Sequence, residues 1–268
     1  MARLVMRGPA MDAMVGNGAT LGEARPSGEL VRLSGVHKVY GRGLAGVHAL
    51  ADINLQVAAG EMVAVCGPSG HGKTTLLNLV GLLETATEGS VVLASLLTSK
   101  LSEQARADLR GEVIGQVFQA ATLIPVLSAL DNVLLPLTLR VRPQGAALAE
   151  ARELGAELLA RLGLKTQTHH TPERLDASQC QRVAIARALV TTPRLVVADE
   201  ATSRLDGGGV RLVMDLFASY QRDYGTSFLL STRDQRQYSR ASRTVQLNEG
   251  RLSSPASDGG RKTLRVQG

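Results

Sequence analysis

The chain has 268 residues, 44% of them hydrophobic and 20% charged, with a formal net charge of +6. That length holds one large domain or two small ones around a substantial core, and the composition excludes a disordered chain. The basic balance fits an anionic ligand, nucleic acid or an acidic membrane surface without choosing among them, and a solvated basic face explains it equally well.

Residues 1–28 carry Gly8, Pro9, Gly16, Gly18, Gly22, Pro26 and Gly28 without sustained periodicity and read as a flexible arm. The folded unit is expected over 29–254, followed by a flexible tail over 255–268. Within it, Leu30 to Val39 alternates as a strand, and Ile53 to Val57 does so more clearly. Met62 to Cys66 reads as a buried strand after an Ala59-Gly60 turn, and Thr74 to Leu83 has helical spacing. Leu148 to Leu162 and Gln181 to Val190 are further helices, whereas Leu195 to Ala198 and Ser227 to Leu230 are short apolar strands. Strands alternating with helices predict an α/β fold with a mostly parallel sheet.

Three features resemble membrane or metal sites and fail as such. Ala121 to Leu139 contains Pro125, Asp131, Asn132 and Pro136, all costly in hydrocarbon, so any membrane role must come through a partner. Cys66 and Cys180 stand far apart without metal spacing, which argues against a zinc site or disulfide framework and makes a reducing compartment the default. His169 and His170 are adjacent rather than one helical turn apart and read as solvated loop residues.

Chemistry enters at Gly67-Pro68-Ser69-Gly70-His71-Gly72-Lys73-Thr74-Thr75. The spacing G-x4-G-K-[ST], set between a strand and a helix, is a phosphate-binding loop. Glycines let successive backbone N–H groups turn inward, and the helix adds its positive end. Lys73 is expected to reach the β- and γ-phosphates, and the Thr74 hydroxyl to hold Mg²⁺. The apolar strand ending in Asp199-Glu200 supplies the other half: Asp199 for the Mg²⁺ through water, Glu200 to orient or deprotonate an attacking water.

With these elements, Leu175-Asp176-Ala177-Ser178-Gln179-Cys180-Gln181-Arg182-Val183-Ala184-Ile185-Ala186-Arg187-Ala188-Leu189 resembles the signature LSGGQ-x-QRVAIARAL of the ATP-binding cassette (ABC) family. The resemblance extends over nearly all of residues 30–252. It implies a P-loop NTPase fold with an antiparallel β subdomain and a helical signature subdomain, binding ATP and Mg²⁺. It also implies a second ATP-binding subunit, identical or different, and a transmembrane permease subunit, with the chain peripheral on the cytoplasmic face of the inner membrane. Tyr40 matches the aromatic that stacks on adenine, Gln119 the glutamine that senses Mg²⁺ and the permease, and Asp206 the D-loop aspartate. Val117-Phe118-Gln119 through Leu135-Pro136-Leu137 is similar to the branch serving lipoprotein-release and macrolide-export transporters.

The departures bear on rate. The signature of one subunit contacts the γ-phosphate held by the other, in this family through a serine and two glycines. Here Asp176, Ala177 and Ser178 stand in their places, so a carboxylate is expected to repel the triphosphate and each added Cβ to obstruct it, with Ser178 and Gln179 left as donors. Arg233 occupies the switch-histidine position, where its charge can grip a γ-phosphate but cannot accept a hydrogen bond. Retained Lys73, Asp199 and Glu200 favour hydrolysis; the alternative is a nucleotide-closed clamp with little turnover. A DNA-repair ATPase of the same superfamily needs a long insertion between Lys73 and Ser178, for which there is no room, so no nucleic-acid partner is expected.

Overall fold

The computed structural model describes residues 28–41, 46–232 and 240–253. Apart from Gly28, the expected arm lies outside the described residues, as do the expected tail and Arg233. The strands are β1 (Glu29–Tyr40), β2 (Val47–Ala58), β3 (Met62–Cys66), β4 (Glu88–Leu93), β5 (Leu96–Leu97), β6 (Ile114–Val117), β7 (Leu195–Ala198), β8 (Ser227–Thr232), β9 (Arg243–Asn248) and β10 (Arg251–Ser253). The helices are α1 (Lys73–Val80), α2 (Glu103–Val113), α3 (Ala129–Arg140), α4 (Gly145–Arg161), α5 (Ala177–Leu189) and α6 (Gly207–Tyr224).

Strands β2-β1-β4-β5 form an antiparallel sheet. The second sheet has the order β10-β9-β3-β8-β7-β6, parallel throughout except for β10 at its edge. Strand periodicity makes this sheet the partition between two cores. Met62, Ala64, Val196, Ala198, Phe228 and Leu230 face the core built with α3 to α6. Val63, Val65, Leu195, Val197 and Leu229 face the other, shared with α1 and the antiparallel sheet. Because both faces are covered, β3, β7 and β8 are buried along their whole length, which is why they read as continuous apolar runs. Each such Val or Leu contributes about 1.5–3 kcal/mol by leaving water.

The expected α/β architecture, with its antiparallel subdomain and helical insert, is therefore present. Several bounds differ. Helix α1 stops at Val80 rather than Leu83, because Gly81 is followed by Leu82 in the left-handed region (φ 56°). Helix α5 begins at Ala177, four residues before the apolar periodicity, because Asp176 caps it. Helices α2, α3 and α6 were not expected from periodicity. Pro136 inside α3 and Gly207-Gly208-Gly209 opening α6 carry poor helix propensity, which packing against the core overrides. Of the histidine pair, His169 is exposed as expected, but His170 is half-buried and encloses its Nδ1 without a partner.

Among the described residues, no helix is long and apolar enough to cross a membrane. Asn132, which spoils residues 121–139 as a span, is fully buried and has a structural role. Its amide donates to the carbonyls of Ile124, Leu127 and Ser128 and accepts from the Ile124 N–H at 2.8 Å, pinning the loop that follows Gln119 onto α3.

Candidate functional site

The loop between β3 and α1 is shaped by two close backbone approaches. A Cβ on Gly67 would lie 2.2 Å from the Leu247 carbonyl oxygen, and one on Gly72 would lie 2.5 Å from that of Ala49. Gly72 also sits at φ 95°, in the left-handed region, as the residue preceding α1. Ser102, Ser128, Asp176 and Asp206 cap α2, α3, α5 and α6 with their side chains. Helix α1 has no side-chain cap and no acid in its first turn. No side-chain acceptor therefore offsets the positive end that α1 turns toward the loop, which suits an anion there.

Lys73 is 5% exposed, and its Nζ donates to the Gly67 and Pro68 carbonyls at 2.8 Å each, which folds the loop around the ammonium. His71 turns away from the loop interior: its Nδ1 accepts the Glu249 N–H at 3.0 Å, tying the loop to the β9–β10 turn.

The register of the parallel sheet sets the acidic residues beside this loop. Asp199 and Glu200 follow β7 directly and are 6% and 8% exposed. The Thr74 hydroxyl donates to Asp199 Oδ2 at 2.7 Å, Gln119 Nε2 donates to Glu200 Oε2 at 3.1 Å, and Lys73 Nζ lies 3.9 Å from Glu200 Oε1. Glu200 adopts φ 44°, uncommon for a residue with a side chain, and such strain costs about 1–3 kcal/mol. Thus Lys73, Thr74, Gln119, Asp199 and Glu200, drawn from three strand ends, form one cluster.

Ser231, which the motifs do not single out, is a further member of the cluster. Fully buried at the end of β8, its hydroxyl donates to Asp199 Oδ1 and accepts the Glu200 N–H at 2.9 Å. It therefore fixes both acids at once. The available signal is a pair of hydroxyls, Ser231 and Thr232, closing an otherwise apolar buried strand.

The sequence model of the family described as "ABC transporter" matches residues 50–203. The chain belongs to the ABC transporter family. It is 44% identical over 222 residues to the lipoprotein-releasing system ATP-binding protein LolD of Anaeromyxobacter dehalogenans, covering 83% of this chain and 92% of that protein. LolD of Bordetella pertussis is 40% identical over 230 residues, covering 86% and 98%. Among solved structures, the dimeric post-hydrolysis state of the ATP-binding cassette MJ0796, bound to ADP and Pi, superposes with a TM-score of 0.79 at 35% identity, covering 84% of this chain and 98% of that one. Within an ABC transporter this chain is the ATP-binding subunit.

The ABC signature lies at the start of α5 and is organised by its own substitutions. Asp176 Oδ1 accepts the Gln179 N–H at 2.7 Å, and Gln179 Oε1 accepts the Asp176 N–H at 3.0 Å, a reciprocal capping box. The Asp176 carboxylate is turned onto its own helix, where a negative charge is favourable, and it occupies one of the N–H groups an anion would use. The Ser178 carbonyl accepts from Arg182. Further along, Gln181 is 1% exposed and its Nε2 donates to the Phe118 carbonyl at 3.0 Å, and Arg187 donates to the Thr122 carbonyl at 2.7 Å. These two bonds fasten α5 to the Gln119 loop. Asp206 caps α6 by accepting the Gly209 N–H at 2.7 Å.

Tyr40 ends β1, 40% exposed as a residue, with its hydroxyl 3.4 Å from Thr75 Oγ1. The site residues thus fall into a compact Lys73–Thr74–Gln119–Asp199–Glu200 cluster, an aromatic at the neighbouring sheet edge, and a separately capped signature helix.

Proposed function

We propose that this chain is the energy-coupling subunit of a lipoprotein-releasing ABC transporter, peripheral on the cytoplasmic face of the inner membrane, where it binds and hydrolyses Mg-ATP to drive a permease. The observation that carries the reading is the convergence of Lys73, Thr74, Gln119, Asp199 and Glu200 on one loop. Two relatives named for lipoprotein release, each matched over more than nine-tenths of its length, favour that branch.

In this reading the backbone of residues 67–75 cradles the phosphates, Lys73 pairs with the β- and γ-phosphates, and Tyr40 stacks on adenine. The donors facing one another at Thr74 and Asp199 are hard oxygens, the class that suits Mg²⁺, and with Gln119 they would hold that ion. When bound, the ion neutralises charge on the transferred phosphate. Glu200, held by Ser231 through its backbone and by Gln119 through its carboxylate, takes the role of orienting or deprotonating the attacking water. A second cassette supplies its signature, Ser178 and Gln179 among its donors, together with its Asp206 and Arg233. Because Asp176 and Ala177 replace a serine and a glycine, turnover is slower than a consensus signature gives.

Permease docking is supported by apolar side chains left in solvent on the loop that follows Gln119, Ile124 and Val126. The test is co-expression with a permease of the lipoprotein-releasing type. The wild-type chain is expected to sediment with membranes and show stimulated ATPase activity. Val126→Asp should lose most of the membrane-bound fraction while keeping ATP binding; recruitment of that variant at wild-type level would refute the docking face.

The rate assignment has its own test. Asp176→Ser combined with Ala177→Gly and Ser178→Gly keeps an S-x-x-Q capping box with Gln179 and removes one charge and two Cβ atoms. Phosphate release measured at saturating Mg-ATP is expected to rise about tenfold. No gain would show that the substituted signature is compensated elsewhere.

A further inference from the structure

Next to Tyr40 lies a polar cluster that binding of phosphate or metal does not require. The Tyr40 hydroxyl donates to Glu84 Oε2 at 2.7 Å. Lys38 Nζ lies 3.1 Å from the same oxygen, donates to the Thr85 carbonyl at 3.0 Å, and sits 4.9 Å from the centroid of the Tyr40 ring. Asn78, on α1, donates to Glu84 Oε1 at 2.9 Å, and the backbone N–H of Glu84 returns to the Asn78 carbonyl. The next residues are stitched to the same strand: the Val39 N–H donates to Thr87 Oγ1 at 3.0 Å, and the Thr87 N–H to the His37 carbonyl at 2.9 Å.

This cluster solves a mechanical problem. Tyr40 is the last residue of β1, so sheet pairing alone leaves its side chain with rotamer freedom, and ordering such a side chain opposes any stacking gain. Glu84 removes that freedom by holding the phenol at its tip. Lys38 sits against the ring by cation–π attraction, and the ring keeps its exposed area for a planar partner. Burial pushes the Glu84 carboxyl up, but the hydrogen bonds from Tyr40, Asn78 and Lys38 and the Lys38 charge outweigh it and hold the group below its ordinary value, so it stays an acceptor. Asn78 belongs to the helix whose N-terminus faces the phosphate loop. The ring and the phosphate loop are therefore fastened to one rigid element.

We propose that Glu84 is a positioning residue for nucleotide binding: it latches Tyr40 and Lys38 to α1 and so sets the aromatic platform at a fixed distance from the phosphate loop. The inference rests on Tyr40 being the surface that stacks on the base. It predicts that Glu84 matters only for ligands that carry a base.

The experiment compares Mg-ATP with Mg-tripolyphosphate, which has the phosphates and no base, by titration calorimetry on the full chain. A fivefold to tenfold loss of affinity corresponds to about 1–1.4 kcal/mol, a part of what one stacked base contributes. Glu84→Ala is expected to weaken Mg-ATP about fivefold to tenfold and to leave tripolyphosphate within twofold of the wild type. Its KM for ATP should rise with kcat unchanged. Glu84→Gln, which keeps an acceptor for the Tyr40 hydroxyl, should recover most of the loss. Glu84→Ala binding Mg-ATP as tightly as the wild type overturns the latch. Equal loss for ATP and tripolyphosphate overturns it too, since it signals damage to α1. Tyr40→Ala serves as the reference: selective loss of ATP affinity supports the platform, whereas normal ATP binding overturns the platform reading and the latch with it.

Discussion

Glu200→Gln should abolish most phosphate release while leaving Mg-ATP bound. The amide is nearly isosteric, so the contact between Gln119 Nε2 and position 200 can persist through the amide oxygen, and the backbone N–H still reaches Ser231 Oγ. What disappears is the negative charge that takes up or orients a proton of the attacking water. Loss of a positioned general base costs a factor of about 100 or more. Single-turnover phosphate release and ATP retention after gel filtration, measured on the same preparation, give the two readouts. A turnover within tenfold of the wild type would remove Glu200 from the proposed role. Loss of ATP retention would show that the carboxylate also organises the loop, which its left-handed backbone and its 3.9 Å distance from Lys73 make a specific alternative.

Lys73→Ala should act on the other term, affinity rather than rate. The ammonium is buried and already paired with the Gly67 and Pro68 carbonyls, so it is fixed in place before a phosphate arrives. Charge-assisted hydrogen bonds to two phosphates are together worth about 3 kcal/mol, which converts to about 100-fold in Kd. Equilibrium titration with Mg-ATP is the measurement, and unchanged affinity would sink the site. The substitution also frees two loop carbonyls, so the melting temperature without nucleotide should be recorded beside it. A small shift there, combined with lost binding, assigns the effect to the phosphate contact. Lys73→Ala and Glu200→Gln therefore separate binding from bond breaking.

The parts of the site that were legible in the sequence are those whose chemistry is written in contiguous residues. The phosphate loop needs a glycine turn between a strand and a helix, and 67–75 spells that out locally. Asp199 and Glu200 announce themselves because four buried apolar residues precede them and a parallel sheet brings strand ends together. Elements whose local propensity contradicts their final state were not legible: α6 opens on three glycines, α3 contains Pro136, and β6 is a four-residue edge strand. Burial against the sheet decides these, and burial is not a property of a short window.

Asp176 shows how the structure changed the meaning of a correctly noted residue. From its identity alone it is a charge set against a triphosphate. In the fold it is first a helix cap, engaged with Gln179 three residues on. The substitution keeps the cap on α5 that a serine would also give, while putting a carboxylate in place of a hydroxyl donor at its N-terminus.

The sequence by itself determined the family, the glycine loop of residues 67–75, the acidic strand end and the identities of the residues at the signature positions, since each is carried by neighbours along the chain. Only the tertiary structure decided which distant groups hold them. Ser231 reaches Asp199 across 32 residues, Glu84 reaches Tyr40 across 44, and Gln181 reaches Phe118 across 63. These contacts follow from sheet order and helix packing, where hydrophobic burial chooses the neighbours and a single hydrogen bond then uses the proximity that burial created.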